Sequence, residues 1–404
     1  MGSICSFEKI GCEIPTWPAN ILLFAKVELK FISKRKVLHE IINRVCIKGK
    51  YKDRSLKQIS SLTAKKMVNI EFKLPSDEPE QLIIKSQDTT KEAYGCEPDK
   101  RDIEDLLKYG VINLNKPSGP TSHEVVSWAR KILGIENVGH GGTLDPKVTG
   151  ILPCALGKAT RVLSALLYAG KEYVGVMYLH TPEKLKKIEK VFKIFTGKIY
   201  QMPPIKSSVV RKLRIREIYY AKVLEVNKNH VLFKVGCEAG TYIRKLCFDI
   251  GEALCSGAHM LELRRTRVGN FIEDNSHVNL HNLKDAYSIY REEGEDYYLK
   301  KIISPMEKMV SHLPKIYVRD TAVDALCHGA DLASAGTCYI DARINNNMQI
   351  VYMTLKKELV GFGTAKMNAM KIFKAKSGIV AKTNKIFMER GIYPRWNEII
   401  KNKK

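Results

Sequence analysis

The most informative stretch of this chain is Gly139-His140-Gly141-Gly142-Thr143-Leu144-Asp145-Pro146-Lys147-Val148-Thr149-Gly150. Its glycines allow a backbone that approaches a ligand closely, with φ values that other residues rarely adopt. Asp145 precedes a proline and is therefore expected in an extended conformation. A carboxylate presented on such a loop can act as a nucleophile, as a base or simply as the side chain that closes a turn.

The residues before this loop predict a strand followed by a capped helix. Residues 110–114 are typical of a short strand, and a Pro- and Gly-rich turn follows them. Thr121 and Glu124 have the spacing of a capping box, and Gly134 is a typical helix end. The apolar residues at helical spacing between them are Val125, Trp128, Ala129 and Ile132. They predict one apolar face that packs on the core.

The residues after the loop mix strands and helices without regular alternation. Segments 171–180, 231–237 and 261–271 are strand-like, and residues 243–254 predict an amphipathic helix. A block over residues 314–396 begins with a strand at 315–318 and a helix through 322–327, and short, Gly-punctuated strands follow. This pattern indicates an α+β protein with an antiparallel sheet.

The charge balance points to a polyanionic partner. The chain has 67 Lys and Arg against 43 Asp and Glu, a formal charge of +24. Such an excess favours nucleic acid or an anionic membrane surface. No apolar run is long enough to span a membrane. The ten cysteines include no C-x-x-C pair, and Cys255 with His259 is too few ligands for zinc, so we expect reduced thiols in an intracellular protein and no metal site.

The Asp145 loop resembles the catalytic motif of the TruB class of pseudouridine synthases, and of its dyskerin-type branch in particular. Further matches occur in the same order along the chain and cover about residues 100–396. They are Gly110-Val111-Ile112-Asn113-Leu114-Asn115-Lys116-Pro117, Ser122-His123-Glu124-Val125-Val126, Gly170-Lys171-Glu172-Tyr173, Gln201-Met202-Pro203-Pro204, Glu238-Ala239-Gly240-Thr241-Tyr242-Ile243-Arg244, Leu263-Arg264-Arg265-Thr266-Arg267-Val268-Gly269, Val318-Arg319-Asp320-Thr321-Ala322-Val323 and Gly329-Ala330-Asp331-Leu332.

The resemblance implies an α+β pseudouridine synthase fold with a mixed, largely antiparallel sheet and a C-terminal β-rich PUA domain. We expect a basic extension over residues 1–66, an N-terminal arm over 67–100 and the catalytic domain over 101–312. The PUA domain is expected over 313–396, followed by a basic tail over 397–404. Residues 1–66 carry 14 Lys and Arg against 5 Asp and Glu and resemble no part of the family. The role of this extension is unknown, and a divergent piece or a gene-model artefact is the alternative.

The resemblance also implies the reaction, the isomerisation of uridine to pseudouridine in RNA. This rearrangement involves no redox change or energy input, so no cofactor is expected. Asp145 matches the carboxylate that begins glycosidic cleavage, although its attack on sugar or base and its removal of the 2′ proton remain equal alternatives. Arg244 matches the partner of that carboxylate, with a surface arginine that contacts phosphate as the alternative. Tyr173 matches the aromatic residue that stacks on the flipped base, with a core tyrosine on a strand as the alternative. Three further matches to active-site positions are Lys116, His140 and Leu263; for His140 and Leu263, a structural role is an open alternative.

Two basic groups match RNA-contacting positions. The first is Arg211, Lys212 and Arg214, and the second is Arg264, Arg265 and Arg267 on a predicted strand. Both are expected to contact the RNA backbone, with a solvated charged face as the alternative for the first group. The chain departs from the family pattern at Gly141, where serine is usual, and at Val210, where lysine is usual. Gly141 is expected to loosen the loop.

The dyskerin-like features imply a guided enzyme. The expected partners are a box H/ACA guide RNA, a substrate RNA such as rRNA or snRNA, and the small H/ACA core proteins, without a membrane. Nuclear, nucleolar localisation would follow in a eukaryote. A stand-alone synthase for the tRNA T-loop and an inactive RNA-binding scaffold are the alternatives.

Overall fold

A computed structural model describes residues 73–203 and 210–395 of the chain. The predicted basic extension and basic tail lie outside these residues. No helix in the described part combines the length and apolarity needed to cross a bilayer.

The strands are numbered in chain order. They are β1 (Leu82–Ile84), β2 (Gly110–Lys116), β3 (Val138–His140), β4 (Thr149–Leu156), β5 (Lys171–Leu179), β6 (Gly197–Gln201), β7 (Arg214–Asn227), β8 (His230–Cys237), β9 (Ala258–Val268), β10 (Phe271–Ile272), β11 (His277–Val278), β12 (Ile303–Pro305), β13 (Lys315–Val318), β14 (Leu332–Ala333), β15 (Thr337–Asp341), β16 (Gln349–Thr354), β17 (Leu359–Ala365) and β18 (Ile379–Ile386).

The α-helices are numbered in the same way. They are α1 (Ile103–Tyr109), α2 (Ser122–Leu133), α3 (Ser164–Leu167), α4 (Leu185–Ile194), α5 (Ile243–Ala253), α6 (Leu280–Glu293), α7 (Tyr297–Ile302), α8 (Asp320–Cys327) and α9 (Ala369–Lys374).

The larger of two sheets carries the Asp145 loop, which connects β3 to β4. Its strand order is β11-β2-β4-β9-β5-β8-β7-β6, with β3, β10 and β12 paired beside this path. Most neighbours are antiparallel, whereas β11 runs parallel to β2 and β4 runs parallel to β9. The predicted α+β fold with a mixed, largely antiparallel sheet is therefore confirmed.

The smaller sheet forms the C-terminal β-rich part and has the order β1-β15-β13-β16-β17-β18-β14. Its edge strand β1 comes from the arm, far from the others in sequence, and pairs antiparallel with β15. One apolar cluster joins the two sheets and includes Val111, Ile151, Phe271, Val351 and Phe362. Because the sheets share this core, the C-terminal part is held in a fixed orientation relative to the Asp145 loop.

A buried ion pair reinforces this junction. Arg101 donates from both terminal nitrogens to Glu307 at 2.9 Å, and the two side chains are only 9% and 10% exposed. Glu307 also accepts a hydrogen bond from the backbone amide of Leu359 at 3.0 Å. The Glu307 carboxylate thus connects the segment just before α1 to Leu359, the first residue of β17.

The predicted capped helix is confirmed, but Trp128, which was predicted on its buried apolar face, is not buried. Thr121 caps α2 in a capping box with Glu124, and Gly134 ends it with φ of 62°. Val125 and Ala129 are fully buried, whereas Trp128 is 42% exposed. The buried face is rotated toward Val126 and Leu133, because α2 packs against β3 and α6.

The predicted strand over residues 261–271 is two strands in the structure. β9 ends at Val268, and Gly269 turns the chain with φ of 52° so that β10 folds back on β9. Only glycine adopts that φ without strain, and the strand prediction did not take it into account.

Candidate active site

The Asp145 loop is anchored by the apolar residues on either side of its carboxylate. Leu144 and Val148 are 5% and 4% exposed and belong to the core cluster around β5 and β8. Gly150 has φ of 101°, and a Cβ there would lie 2.2 Å from the carbonyl oxygen of Arg265. The Asp145 side chain, by contrast, is 54% exposed. The backbone is therefore fixed while the carboxylate faces solvent.

Three polar groups hold the loop backbone. The fully buried Lys116 donates from Nζ to the carbonyl oxygens of Pro117, Pro146 and Val148 at 2.8–2.9 Å. Ser122 Oγ accepts from the amide of Leu144 at 2.9 Å and donates to its carbonyl at 3.2 Å. The amide of Gly119 donates to Pro146 at 3.0 Å. The turn is thus supported by these groups, and the Asp145 carboxylate is not needed to close it.

Gly141 does not loosen the loop as the sequence predicts. Its amide donates to the carbonyl of Pro153 at 2.9 Å, which extends the pairing of β3 with β4. A Cβ at this position would lie 2.9 Å from the Leu166 side chain. The absence of a side chain therefore permits close packing, and the hydrogen bond keeps the backbone in place.

Asp145 and Arg244 form an ion pair at the mouth of the site. Arg244 is the second residue of α5, and its Nη2 donates to Asp145 Oδ2. Both side chains are about half exposed, at 56% for Arg244 and 54% for Asp145. The pair orients the carboxylate, yet leaves it accessible to a substrate.

Tyr173 and Leu263 lie on neighbouring strands beside the loop. Tyr173 on β5 packs against the core cluster that contains Leu263, Leu144 and Val148. Leu263 is 8% exposed. Burial raises the pKa of the Tyr173 phenol, and the positive charge of Arg265 opposes that rise. The phenol is protonated at neutral pH, and its ring packs against the same apolar cluster that anchors the Asp145 loop.

His140 lies behind the loop as a neutral ring. Its ring centroid is 5.0 Å from that of His123, in an edge-on arrangement. Burial, followed by the charges of His123 and Arg265, lowers the pKa of His140 to about 4. Its Nδ1 accepts a long hydrogen bond of 3.4 Å from the amide of Gly142.

We expect His140 to make the protein less stable in acid. Its pKa is about 4 in the folded protein, against 6.5 for an ordinary histidine, so the unfolded chain takes up the proton first as pH falls. Stability is therefore full above pH 6.5 and declines toward pH 4. Between neutral pH and about pH 5, the free energy of unfolding in urea should therefore fall by about 2 kcal/mol less in His140→Gln than in the wild type. An equal loss in both proteins would contradict this expectation.

The prediction that Arg265 contacts RNA is wrong. The side chain is 1% exposed, and its guanidinium donates to the carbonyls of Ile151 at 2.9 Å and Gly142 at 3.0 Å. A phosphate cannot reach a guanidinium that is almost fully buried under the Asp145 loop. The alternation of arginines along the predicted strand indicated on which face of β9 Arg265 lies. It did not indicate which segment covers that face.

Arg264 and Arg267 are engaged within the chain. Arg264 pairs with Glu273 at 2.7 Å, and Arg267 donates to Asp77 in the arm, with Nη1 to Oδ2 at 2.9 Å. Both arginine side chains are only 16% exposed. The predicted phosphate contacts would require these ion pairs to open, so the structure gives both residues a role in holding the chain together.

The other basic group borders the undescribed residues 204–209. Arg211 and Lys212 are exposed, and Arg214 opens β7 opposite Gln201. Val210, the departure from the family pattern, is 77% exposed. These cations are accessible to a polyanion, and their contact with RNA stays a prediction.

Ser122 was not predicted as a site residue. The motif that contains it was recognised, but its role appears only when α2 places its hydroxyl beside Leu144. The capping box at Thr121 predicted the start of the helix, and Ser122 is the next residue in the sequence.

Four family models match consecutive parts of the chain. They are described as the DKCLD (NUC011) domain over residues 70–126, the TruB family pseudouridylate synthase N-terminal domain over 130–243, the tRNA pseudouridylate synthase B C-terminal domain over 244–311 and the PUA domain over 314–387.

Relatives and solved structures agree with these matches. A probable tRNA pseudouridine synthase B of Methanopyrus kandleri is 50% identical over 80% of this chain and 95% of its own. One of Methanothermobacter thermautotrophicus is 54% identical over 76% of this chain and 94% of its own. A chain from a Cbf5-Nop10-Gar1 complex is 51% identical, with a TM-score of 0.78. A chain from an H/ACA RNP bound to a substrate RNA containing 2′-deoxyuridine is 50% identical, with a TM-score of 0.76; both structures cover 80% of this chain and 99% of theirs.

The family matches cover the sheet that carries Asp145, the arm before it and the β-rich part after it. The chain therefore belongs to the TruB family of pseudouridine synthases, enzymes that isomerise uridine in RNA, with a DKCLD segment and a PUA domain.

Proposed function

We propose that the chain is an RNA-guided pseudouridine synthase that works with a box H/ACA guide RNA. The observation that carries this proposal is its 50% identity to a chain of an H/ACA RNP bound to substrate RNA, over 99% of that chain. The similarity includes the arm and the PUA domain as well as the catalytic sheet.

In this proposal Asp145 begins glycosidic cleavage, Arg244 orients it and Tyr173 stacks on the flipped uracil. The C1′–N1 bond breaks and a C1′–C5 bond forms, while the proton of C5 is lost to a base and N1 gains one. The base must first leave its stack, at a cost of about a few kcal/mol. A half-exposed carboxylate and a partly buried aromatic ring suit a base that enters from solvent.

A rigid junction supports the guided mode. The arm strand β1 completes the PUA sheet, and Lys85, just after it, donates to the carbonyls of Ile372 and Ala375 at 2.7 Å. The PUA sheet in turn shares a core with the catalytic sheet. A guide RNA held on the PUA domain would therefore sit at a fixed distance from Asp145. The guide sequence would then choose the uridine.

The proposal includes partners and location. Small core proteins would complete the particle, as in the Cbf5-Nop10-Gar1 complex named above. rRNA is the expected substrate, and the nucleolus is the expected location in a eukaryotic cell. Imaging of the tagged chain beside a nucleolar marker tests the location, and a diffuse cytosolic signal would contradict it.

The experiment that tests the guided mode measures pseudouridine formation on a short RNA with a single target uridine. The full chain is assayed with the core proteins, with and without an H/ACA guide complementary to the target. The matched control is a guide whose ACA end, the segment expected to lie on the PUA domain, is replaced by another sequence. We expect product with the intact guide and a loss of at least about 10-fold with the altered end.

The relatives' names favour one alternative, a stand-alone enzyme acting on tRNA. The same assay on bare tRNA, without a guide, distinguishes the two. Product on bare tRNA together with none on the guided RNA would replace the proposal with the stand-alone function. Guide binding without product in either arm would indicate a scaffold.

A further inference from the structure

Arg265 heads the largest fully buried side chains in the described part of the chain, at 1% exposure. It lies on β9, between β4, which follows the Asp145 loop, and β5, which carries Tyr173. In register, it is opposite Gly150 on one side and Tyr173 on the other. Its strand therefore places it between the two parts of the candidate active site.

Its guanidinium bonds to both ends of the loop. Nε donates to the carbonyl of Ile151 at 2.9 Å, and Nη2 donates to the carbonyl of Gly142 at 3.0 Å. These two carbonyls stand on either side of Asp145 in the chain. On the other side, Tyr173 is the register partner of Arg265 on β5, and the charge of Arg265 opposes the rise that burial causes in the pKa of the Tyr173 phenol. Arg265 thus contacts the loop that presents the carboxylate and is paired with the strand that carries the ring.

Its charge is not explained by stability alone. The described hydrogen-bond partners of the guanidinium are two carbonyls, and neither is a carboxylate. Burial is the main cause of the lowered pKa of the nearby Lys116, Lys171 and His140, and the positive charge of Arg265 lowers each of them further. A well-packed apolar side chain often stabilises such a buried position as well or better. A buried cation here points to a geometric or electrostatic requirement of the site.

We propose that Arg265 is a positioning residue for the isomerisation, which fixes the Asp145 loop and Tyr173 relative to each other. The guanidinium fork has a fixed planar geometry, so its two contacts to the loop cannot shift independently, and β9 pairs the same residue with Tyr173 on β5. The carboxylate must meet the sugar or base while the ring holds the uracil. An error of about 1 Å in such an arrangement can cost about 100-fold in rate.

The test uses single-turnover pseudouridine formation, with the full chain in excess over RNA, under the conditions in which the wild type forms product. This measurement does not depend on how the substrate is chosen, so failure of the guided mode leaves it intact. Arg265→Met and Arg265→Lys are compared with Arg101→Met, a matched loss of a buried arginine far from the loop. Hydrogen exchange of amides 141–148 and RNA binding are measured in parallel.

We expect Arg265→Met to lower the rate at saturation by about 100-fold or more, with RNA affinity changed by less than about 3-fold. Amides 141–148 should exchange faster in this variant and not in Arg101→Met. Arg265→Lys should lose at least about 10-fold, because an ammonium cannot reproduce the fork. If Arg265→Met does not fold, the rate of Arg265→Lys alone tests the proposal.

A rate within about 3-fold of wild type in either Arg265 variant would overturn the proposal. An equal rate loss in Arg101→Met would also overturn it, because the loss of any buried arginine would then slow the reaction.

Discussion

Replacing Asp145 by asparagine is expected to reduce pseudouridine formation by about 10⁴-fold or more, while RNA binding stays nearly intact. The change removes the carboxylate and very little volume. The loop backbone is held by Lys116 and Ser122 and by the burial of Leu144 and Val148, so its shape does not depend on the Asp145 side chain. Activity and affinity should be measured on the same preparation by product formation and filter binding.

Asp249→Asn is the matched control for this prediction. Asp249 lies on the same helix as Arg244 and pairs with Lys245 at 2.5 Å. Removal of its charge should change the rate by less than about 3-fold. If Asp145→Asn lost RNA binding together with activity, Asp145 would be a structural residue rather than the catalytic carboxylate.

The second large effect is expected for Lys116→Met. Burial lowers the pKa of Lys116 to about 8, so at neutral pH its ammonium keeps three hydrogens, one for each of three carbonyls. Methionine leaves those carbonyls without this donor, and an unsatisfied buried acceptor costs about 1–3 kcal/mol. We expect a loss of about 3 kcal/mol in the free energy of unfolding. The activity of the folded fraction should also fall, because two of these carbonyls belong to the Asp145 loop.

Lys315→Met separates the two effects. Lys315 is also a buried lysine, 6% exposed, and it donates to the carbonyl of Ser311 at 3.0 Å in the C-terminal part. Its replacement should lower stability without slowing the reaction of the folded protein. If Lys116→Met were destabilised but reacted at the wild-type rate, Lys116 would be a stability residue alone. Urea unfolding and single-turnover rates distinguish these outcomes.

Much of the fold could be predicted from local sequence patterns. The capping box at Thr121 located the start of α2, and the apolar residues at helical spacing from Ile243 located α5. The exit of the chain from β9 was missed because the strand pattern continues past Gly269, whose positive φ creates the turn. The capping box and the helical spacing predicted correctly because each depends only on residues three or four positions apart.

The candidate site was predicted less evenly. The Gly-rich loop identified Asp145, and the resemblance paired it with Arg244, which the structure places against it across 99 positions of sequence. No local rule could have given that pairing. The pairing of the arm strand β1 could not be predicted either, because its partner strand β15 lies far along the chain.

The sequence by itself determined the family, the reaction and the loop that presents the carboxylate, because these depend on ordered residue types that can be read along the chain. Only the tertiary structure decided the role of the arginines. Arg264, Arg265 and Arg267 look alike on a strand, yet one is buried under the loop and the others pair with Glu273 and Asp77. A strand pattern fixes the face on which a side chain lies, whereas its burial and partners depend on which distant segments cover that face.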